Sequence, residues 1–343
     1  MDETLDQPSR APVFLRALRA AVGRAPLWLI CWSVPLLLGL AVALPFVAAL
    51  GSALEHAYAP GAVLPGMDEV FRHDHAGAIA ALRGDADAGA AFLGFAMILV
   101  GIFTAGGWLQ VFLERTSGHS VRRFVWGGVK YFWRFFRVFL LTVLVLAAVS
   151  WLCFGWPWKA LVLDFLFGAE DGDLHALHSE RTALGLTWLQ DGLYGLAFAL
   201  VLAWGDYTRT RLALHDTRSA LWAGLCTLVL LLRHPARTLR PFLFLFLVEW
   251  VLAIELLGRL SWRTNAGIDA ESTWKPVALL FVLGQLAMIV QVIARAARYK
   301  AAVLVSRVLV QPLPQRDPWG KRVGGPGGPQ YPIDETDEYG ISF

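Results

Sequence analysis

Cysteine is scarce in this chain: Cys31, Cys153 and Cys226 are the only three among 343 residues. They are too few and too scattered for a disulfide framework or a metal knuckle, so each reads as a small buried side chain. Charged residues make up only 17%, and five lysines stand against 25 arginines, a bias that fits a bacterium with a GC-rich genome. No Walker-type phosphate loop, GxSxG elbow or HExxH run occurs, so ATPase, serine hydrolase and zincin readings lack their signatures. No histidine falls in the middle of a predicted span, which argues against bis-histidine haem. No mid-span lysine is present for a retinal Schiff base. No cofactor is expected.

What is abundant is apolar surface. Apolar residues reach 57%, with 15 Trp, and the mean hydropathy is +0.53, a balance too apolar for an ordinary soluble domain. The expected fold is all-α, a polytopic transmembrane helical bundle. Six stretches near 27–50, 91–113, 138–156, 185–205, 241–258 and 276–293 are long enough to cross a hydrocarbon core of about 30 Å. Two cytoplasmic interfacial helices are expected as well, over "RRFVWGGVKYFWRFFR" and "RSALWAGLCTLVLLLR".

Basic residues set the expected orientation. The segments 1–26, 114–137, 206–240 and 294–343 hold 23 of the 30 Lys and Arg, so the positive-inside rule puts both termini in the cytoplasm of a bacterial inner membrane. The formal charge of +3 hides this split and gives no reason to expect nucleic acid. Residues 1–26 are read as a cytoplasmic segment, 27–310 as the membrane domain and 311–343 as a disordered cytoplasmic tail. The first span, with Pro35 and Pro45, reads as an uncleaved anchor rather than a signal peptide. The tail has six Pro and six Gly and ends in "DETDEYGISF", too little apolar surface to order itself. Membrane lipids are the expected partners, together with a candidate protein partner at the tail or the interfacial helices. Just before the tail, "QVIARAARYKAAVLVSRVLV" should prolong the sixth helix, with Arg295, Arg298 and Lys300 meeting anionic headgroups.

An internal repeat points to duplication. Shifting the chain by 96 residues matches Trp108 with Trp204, Arg115 with Arg211, His119 with His215, Arg122 with Arg218, Trp126 with Trp222, Gly128 with Gly224 and Arg137 with Arg233. Seven identities over 30 positions exceed the roughly two that composition would give. Each copy is read as a span ending in an interface tryptophan, a turn capped by Ser120 or Asp216, and a short interfacial helix.

The runs "WGDYTRTRLALHDTRSAL", "LRALRAAVGRAPLWLICWSVPLLLGLAVALP" and "RHPARTLRPFLFLF" resemble a loose group of six-helix bacterial membrane proteins of unknown function. These are akin to the membrane domain attached to some glycerophosphodiester phosphodiesterases. The resemblance is carried mainly by Asp206, Tyr207, Arg209 and Arg211, and no catalytic domain accompanies it. It implies a membrane module and lends no activity.

Three groups of residues are site candidates. Glu249 and Gln285 lie ninth and tenth in antiparallel spans, so they are expected at one depth, sharing a hydrogen bond; Glu249→Gln should then leave folding intact. The main reading is an accessory, scaffold or lipid-interacting module without catalysis. Its alternative is a small secondary transporter in which Glu249 couples a proton or cation. Near the inner boundary, Asp206, Arg209 and Arg211, with Arg115, Arg122 and Arg218, could hold phosphate or a lipid headgroup; the simpler reading is a solvated topological anchor. Last, His73, His75, His175 and His178 in the outer loops could bind metal if those loops met. A favourable ion pair is expected between Glu255 and Arg259.

Overall fold

The computed structural model describes residues 11–54, 73, 76–114, 119–168, 179–217, 219–266 and 274–309. Among them the secondary structure is entirely helical, and six helices are long and apolar enough to cross a membrane. The chain is therefore a membrane protein of the all-α class. The expected tail beyond 310 lies outside the described residues.

The chain begins with α1, Val13–Val22, a helix the sequence reading did not anticipate. Its Ala17 and Ala21, four residues apart, are fully buried, and Phe14 brings its ring centroid to 4.1 Å from that of Phe244. Then come α2, Ala25–Leu54, α3, Ala76–Leu113, and α4, Ser120–Phe154. A short run of helical turns, including a π-type segment over Lys159–Asp164, precedes α5, Glu180–His215. α6, Ala220–Arg233, is short. α7, Pro235–Glu249, passes through a π-type segment, Trp250–Leu256, into α8, Leu257–Ala266. The last helix, α9, runs over Trp274–Leu309, so the sixth span does continue well past its apolar stretch.

At about 1.5 Å per residue, α9 with its 36 residues is roughly 54 Å long, far more than a hydrocarbon core of about 30 Å. The surplus is spent at one end. There the buried core gathers the C-terminal parts of α3, α5 and α9, the N-terminal parts of α2 and α4, and α1, through Leu27, Trp108, Leu109, Phe124, Phe135, Leu212, Ala297 and Val303. We call this the packed end. At the opposite, exposed end, Leu37, Phe92, Trp151, Trp188 and Phe281 face outward, as helices apolar all round do in lipid.

The tightest helix crossing is between α3 and α4. A Cβ on Gly127 would stand 2.3 Å from the Gln110 Cβ and 2.7 Å from the Gly106 carbonyl oxygen, and one on Gly106 would be 2.6 Å from the Gly127 oxygen. Only glycine lets the two backbones approach so closely.

The expectations about this region are met only in part. The segment 121–137 is not a separate interfacial helix but the first half of continuous α4; no proline or helix-terminating residue interrupts it, and its Phe124, Tyr131 and Phe135 are buried in the core. The second expected helix is present as a helix of its own, Ala220–Arg233, ended by His234 and Pro235. Of the matched tryptophans, Trp108 and Trp204 are packing residues rather than interface anchors, whereas Trp126 and Trp222 are exposed. Trp108 is 2% exposed and stands edge-on to Phe124, while Trp204 donates its indole N–H to the Gly224 carbonyl at 2.8 Å. Turn chemistry differs too: Ser120 is already helical behind His119, Asp216 closes α5 in the left-handed region, and Ser219 is the residue that caps α6, accepting from the Trp222 N–H.

Candidate functional site

Inside the packed end, four acidic and basic side chains form an alternating chain. Asp206 and Arg209 lie one turn apart on α5, and Arg209 Nη1 stands 3.0 Å from Asp206 Oδ1. The other oxygen of Asp206, Oδ2, faces Arg298 Nε of α9 at 3.7 Å. Arg298 in turn donates through Nη1 to Glu249 Oε2 at the end of α7. The order along the chain is cation, anion, cation, anion, so the formal charge sums to zero. Asp206 and Arg298 are 6% and 7% exposed.

The α7 surface that receives Arg298 follows from helical spacing. Phe242, Phe246 and Glu249 sit at i, i+4 and i+7, one above the other on a single face. The Arg298 guanidinium carbon lies 5.6 Å and 5.9 Å from the centroids of the two rings, close enough for cation–π attraction to add to the ion pair. Around the chain, polar side chains are satisfied locally. The Tyr207 hydroxyl donates to the Thr238 carbonyl at 2.8 Å, and Thr208, Thr210 and Thr238 each donate to the carbonyl four residues back. Two atoms are left over, since Nε of Arg209 and Nε of Arg298 are buried without a hydrogen bond.

Chemically, this arrangement fastens α5, α7 and α9 together. Replacing a buried ion pair with apolar groups of similar size is often nearly neutral, whereas removing one partner costs about 3–5 kcal/mol because a bare charge remains. The chain therefore specifies which faces meet more than it adds to net stability.

The expected bond between Glu249 and Gln285 is not formed. Gln285 instead accepts from the Trp32 indole N–H of α2 at 2.9 Å, and it lies 13 residues, roughly 20 Å along α9, from Arg298, the true partner of Glu249. Centring each apolar stretch misplaced the register, because α7 and α9 both extend beyond their apolar windows at the packed end. Asp206 is corrected likewise: it is buried between two arginines and is not solvated at a headgroup boundary. Arg298 was assigned to the headgroups and is instead buried. A signal for this was present, since Ala294, Ala296, Ala297, Ala301 and Ala302 surround it and are all buried; such small residues let helices close on a cationic segment.

The remaining candidates fare differently. Arg209 is committed to Asp206, Arg211 is half-buried, Arg122 is exposed, and Arg115 and Arg218 lie outside the described residues. His73 is exposed, while His75, His175 and His178 lie outside the described residues; among the described residues no group of three or more His, Cys, Asp or Glu could hold a metal ion. Glu255 and Arg259 form the expected ion pair. Two further ion pairs went unread in the sequence, Arg123 with Glu114 and Arg134 with Asp216.

No family model, no curated protein and no solved structure matches this chain.

Proposed function

We propose that this chain is a bacterial inner-membrane module with both termini in the cytoplasm, serving as a non-catalytic accessory, scaffold or lipid-interacting component. The observation that carries this reading is the pairing of Glu249 with Arg298 beneath Phe242 and Phe246. A carboxylate that couples transport must exchange a proton or cation with water. Here it is neutralised by a buried arginine that also faces Asp206, which suits a strut between helices. The basic bias of the packed end supports the orientation, since Arg16, Arg122, Arg237 and Arg307 all belong to segments counted as cytoplasmic.

Duplication belongs to the same proposal. His119 and Asp216 are the non-glycine residues at positive φ among those described, at 44° and 47°; they fall in the corresponding connections, His119 just before α4 and Asp216 just after α5. Beyond the turns the copies part, since α4 continues straight while α6 ends at His234.

Reconstitution in proteoliposomes with an internal pH dye tests the strut against the carrier. The expected result is no proton flux above that of empty vesicles, in the wild type or in Glu249→Gln. Flux that Glu249→Gln abolishes in a folded protein would overturn the proposal in favour of a transporter.

A further inference from the structure

A crevice of about 80 Å³ opens where α2, α3 and α9 meet. Its lining sits well inside three described helices, Ala25–Leu54, Ala76–Leu113 and Trp274–Leu309. Along both α3 and α9 that lining runs from polar to apolar in one direction. Thr104, Arg295 and Gln291 stand towards the packed end; Met97 and Met288 stand towards the exposed end, where Pro35 of α2 joins them. Arg295 lies one turn before Arg298 but serves a different space. Gly101 keeps that space open, since a Cβ there would stand 3.8 Å from Arg295 Nη1. Arg295 and Gln291 are exposed. The neighbouring carboxylates are committed elsewhere, Glu249 to Arg298, Asp206 to Arg209 and Arg298, and Glu114 to Arg123. The Thr104 hydroxyl donates to the Gly101 carbonyl at 3.1 Å, so its proton is spent within α3.

We infer that this crevice holds the phosphate of one phospholipid from the leaflet at the packed end, on Arg295 and Gln291, with the start of its chains over Met97, Met288 and Pro35. Depth is the first argument. Arg24 and Lys300 lie 5.9 Å and 5.5 Å from the Phe112 ring centroid, and cations gathered at the end of a span mark the headgroup level. Arg295 sits five positions before Lys300 on α9, roughly 8 Å further into the membrane. A guanidinium at that depth is costly unless paired, and its paired N–H donors match phosphate oxygens. The order of the lining is the second argument. Polar groups near the headgroup level and apolar ones deeper repeat the order of a lipid molecule, which selects a lipid over free phosphate. The crevice has room for several waters, enough for a phosphate group, so the chains lie outside it along the exposed Leu37 of α2 and Leu286 of α9. This deepens the lipid-interacting side of the proposed function and can fail while the Glu249–Arg298 strut stands.

The test uses the full chain, stripped of lipid in neutral micelles and titrated with phosphatidylglycerol, with diacylglycerol of the same chains and with inorganic phosphate, bound lipid being counted by native mass spectrometry. The expected result is one tightly retained phosphatidylglycerol and no matching retention of diacylglycerol. Arg295→Gln should weaken that binding at least roughly tenfold, the loss of one charge-assisted contact. Gly101→Leu, which fills the crevice and keeps the charge, should weaken it as much. Arg122→Gln, exposed on α4, should leave it unchanged. Equal loss in Arg122→Gln would mean general headgroup attraction and would overturn the inference, as would unchanged binding in Arg295→Gln or failure to retain one lipid. Equal retention of diacylglycerol would reduce the site to an apolar groove, and displacement by inorganic phosphate at equal concentration would assign it to a free anion; either result overturns it too.

Discussion

Along α9 the two halves behave oppositely. In the first, Val277, Leu279, Phe281, Val282 and Leu286 are exposed; in the second, Ala296, Ala297, Arg298, Tyr299, Ala301, Ala302 and Val303 are shut away. The more apolar half is thus the less buried. The contrast extends across the bundle: α3 exposes Phe92 and Phe95 but buries Trp108, Leu109 and Phe112, and α5 exposes Trp188 and Leu196 but buries Tyr207 and Leu212. Lipid tails are as apolar as leucine, so within a bilayer there is little hydrophobic drive for such side chains to leave the helix surface. The packed end differs in what it buries rather than in shedding apolar surface, since Trp126, Trp133 and Trp222 are exposed there as well, and it is there that the buried charges and the glycine crossing are found.

The comparison breaks most sharply at Arg298. Arg298→Met should destabilise the protein by about 3–5 kcal/mol, because Glu249 is left bare, as read by reversible unfolding in mixed micelles. Adding Glu249→Leu should recover much of that loss, since Asp206 still has Arg209 at 3.0 Å; strictly additive losses would show that the pair is uncoupled. By the same logic Glu249→Gln, harmless on the sequence reading, is now expected to destabilise, because Arg298 keeps only the carboxylate it shares with Arg209.

Next in size is the glycine crossing. Gly127→Ala puts a methyl 2.3 Å from the Gln110 Cβ, and overpacking of this kind costs about 1–3 kcal/mol; an unchanged unfolding midpoint would show that α3 and α4 are not in that contact. Smaller again is Trp204→Phe, which removes the bond to the Gly224 carbonyl and should cost about 1 kcal/mol, seen as faster amide exchange at the start of α6. At the exposed end, Trp188→Leu should change stability by less than about 0.5 kcal/mol, because Trp188 is 70% exposed. A loss there comparable to that of Gly127→Ala would mean that both ends pack alike.

Legibility followed the same division. The spans near 91–113 and 185–205 fall inside α3 and α5, because length and continuous apolarity are local properties. The reading of 121–137 as a separate helix failed because Arg122, Arg123, Lys130, Arg134 and Arg137 look like a headgroup-facing set in one dimension. In the folded chain Arg123 meets Glu114 and Arg134 meets Asp216, while Gly127 and Phe124 turn toward α3. The candidate site was half visible: Asp206, Arg209 and Glu249 stood out as charges in apolar surroundings, but Arg298 did not, since an arginine after a span normally signals the boundary. α1 was missed although its pattern was legible, with Phe14, Ala17, Leu18 and Ala21 recurring at three- and four-residue spacing on the face that packs.

The sequence by itself determined that this is a helical membrane protein with six apolar spans, and where its basic residues gather, because crossing a bilayer depends on counts along a single helix. Only the tertiary structure decided that Glu249 meets Arg298 rather than Gln285, that 121–137 belongs to α4, and that Arg295 lines a crevice between α2, α3 and α9. Those outcomes depend on how far each helix runs past its apolar stretch and which small residues let neighbours close in, a matter of relative depth between helices that no single segment encodes.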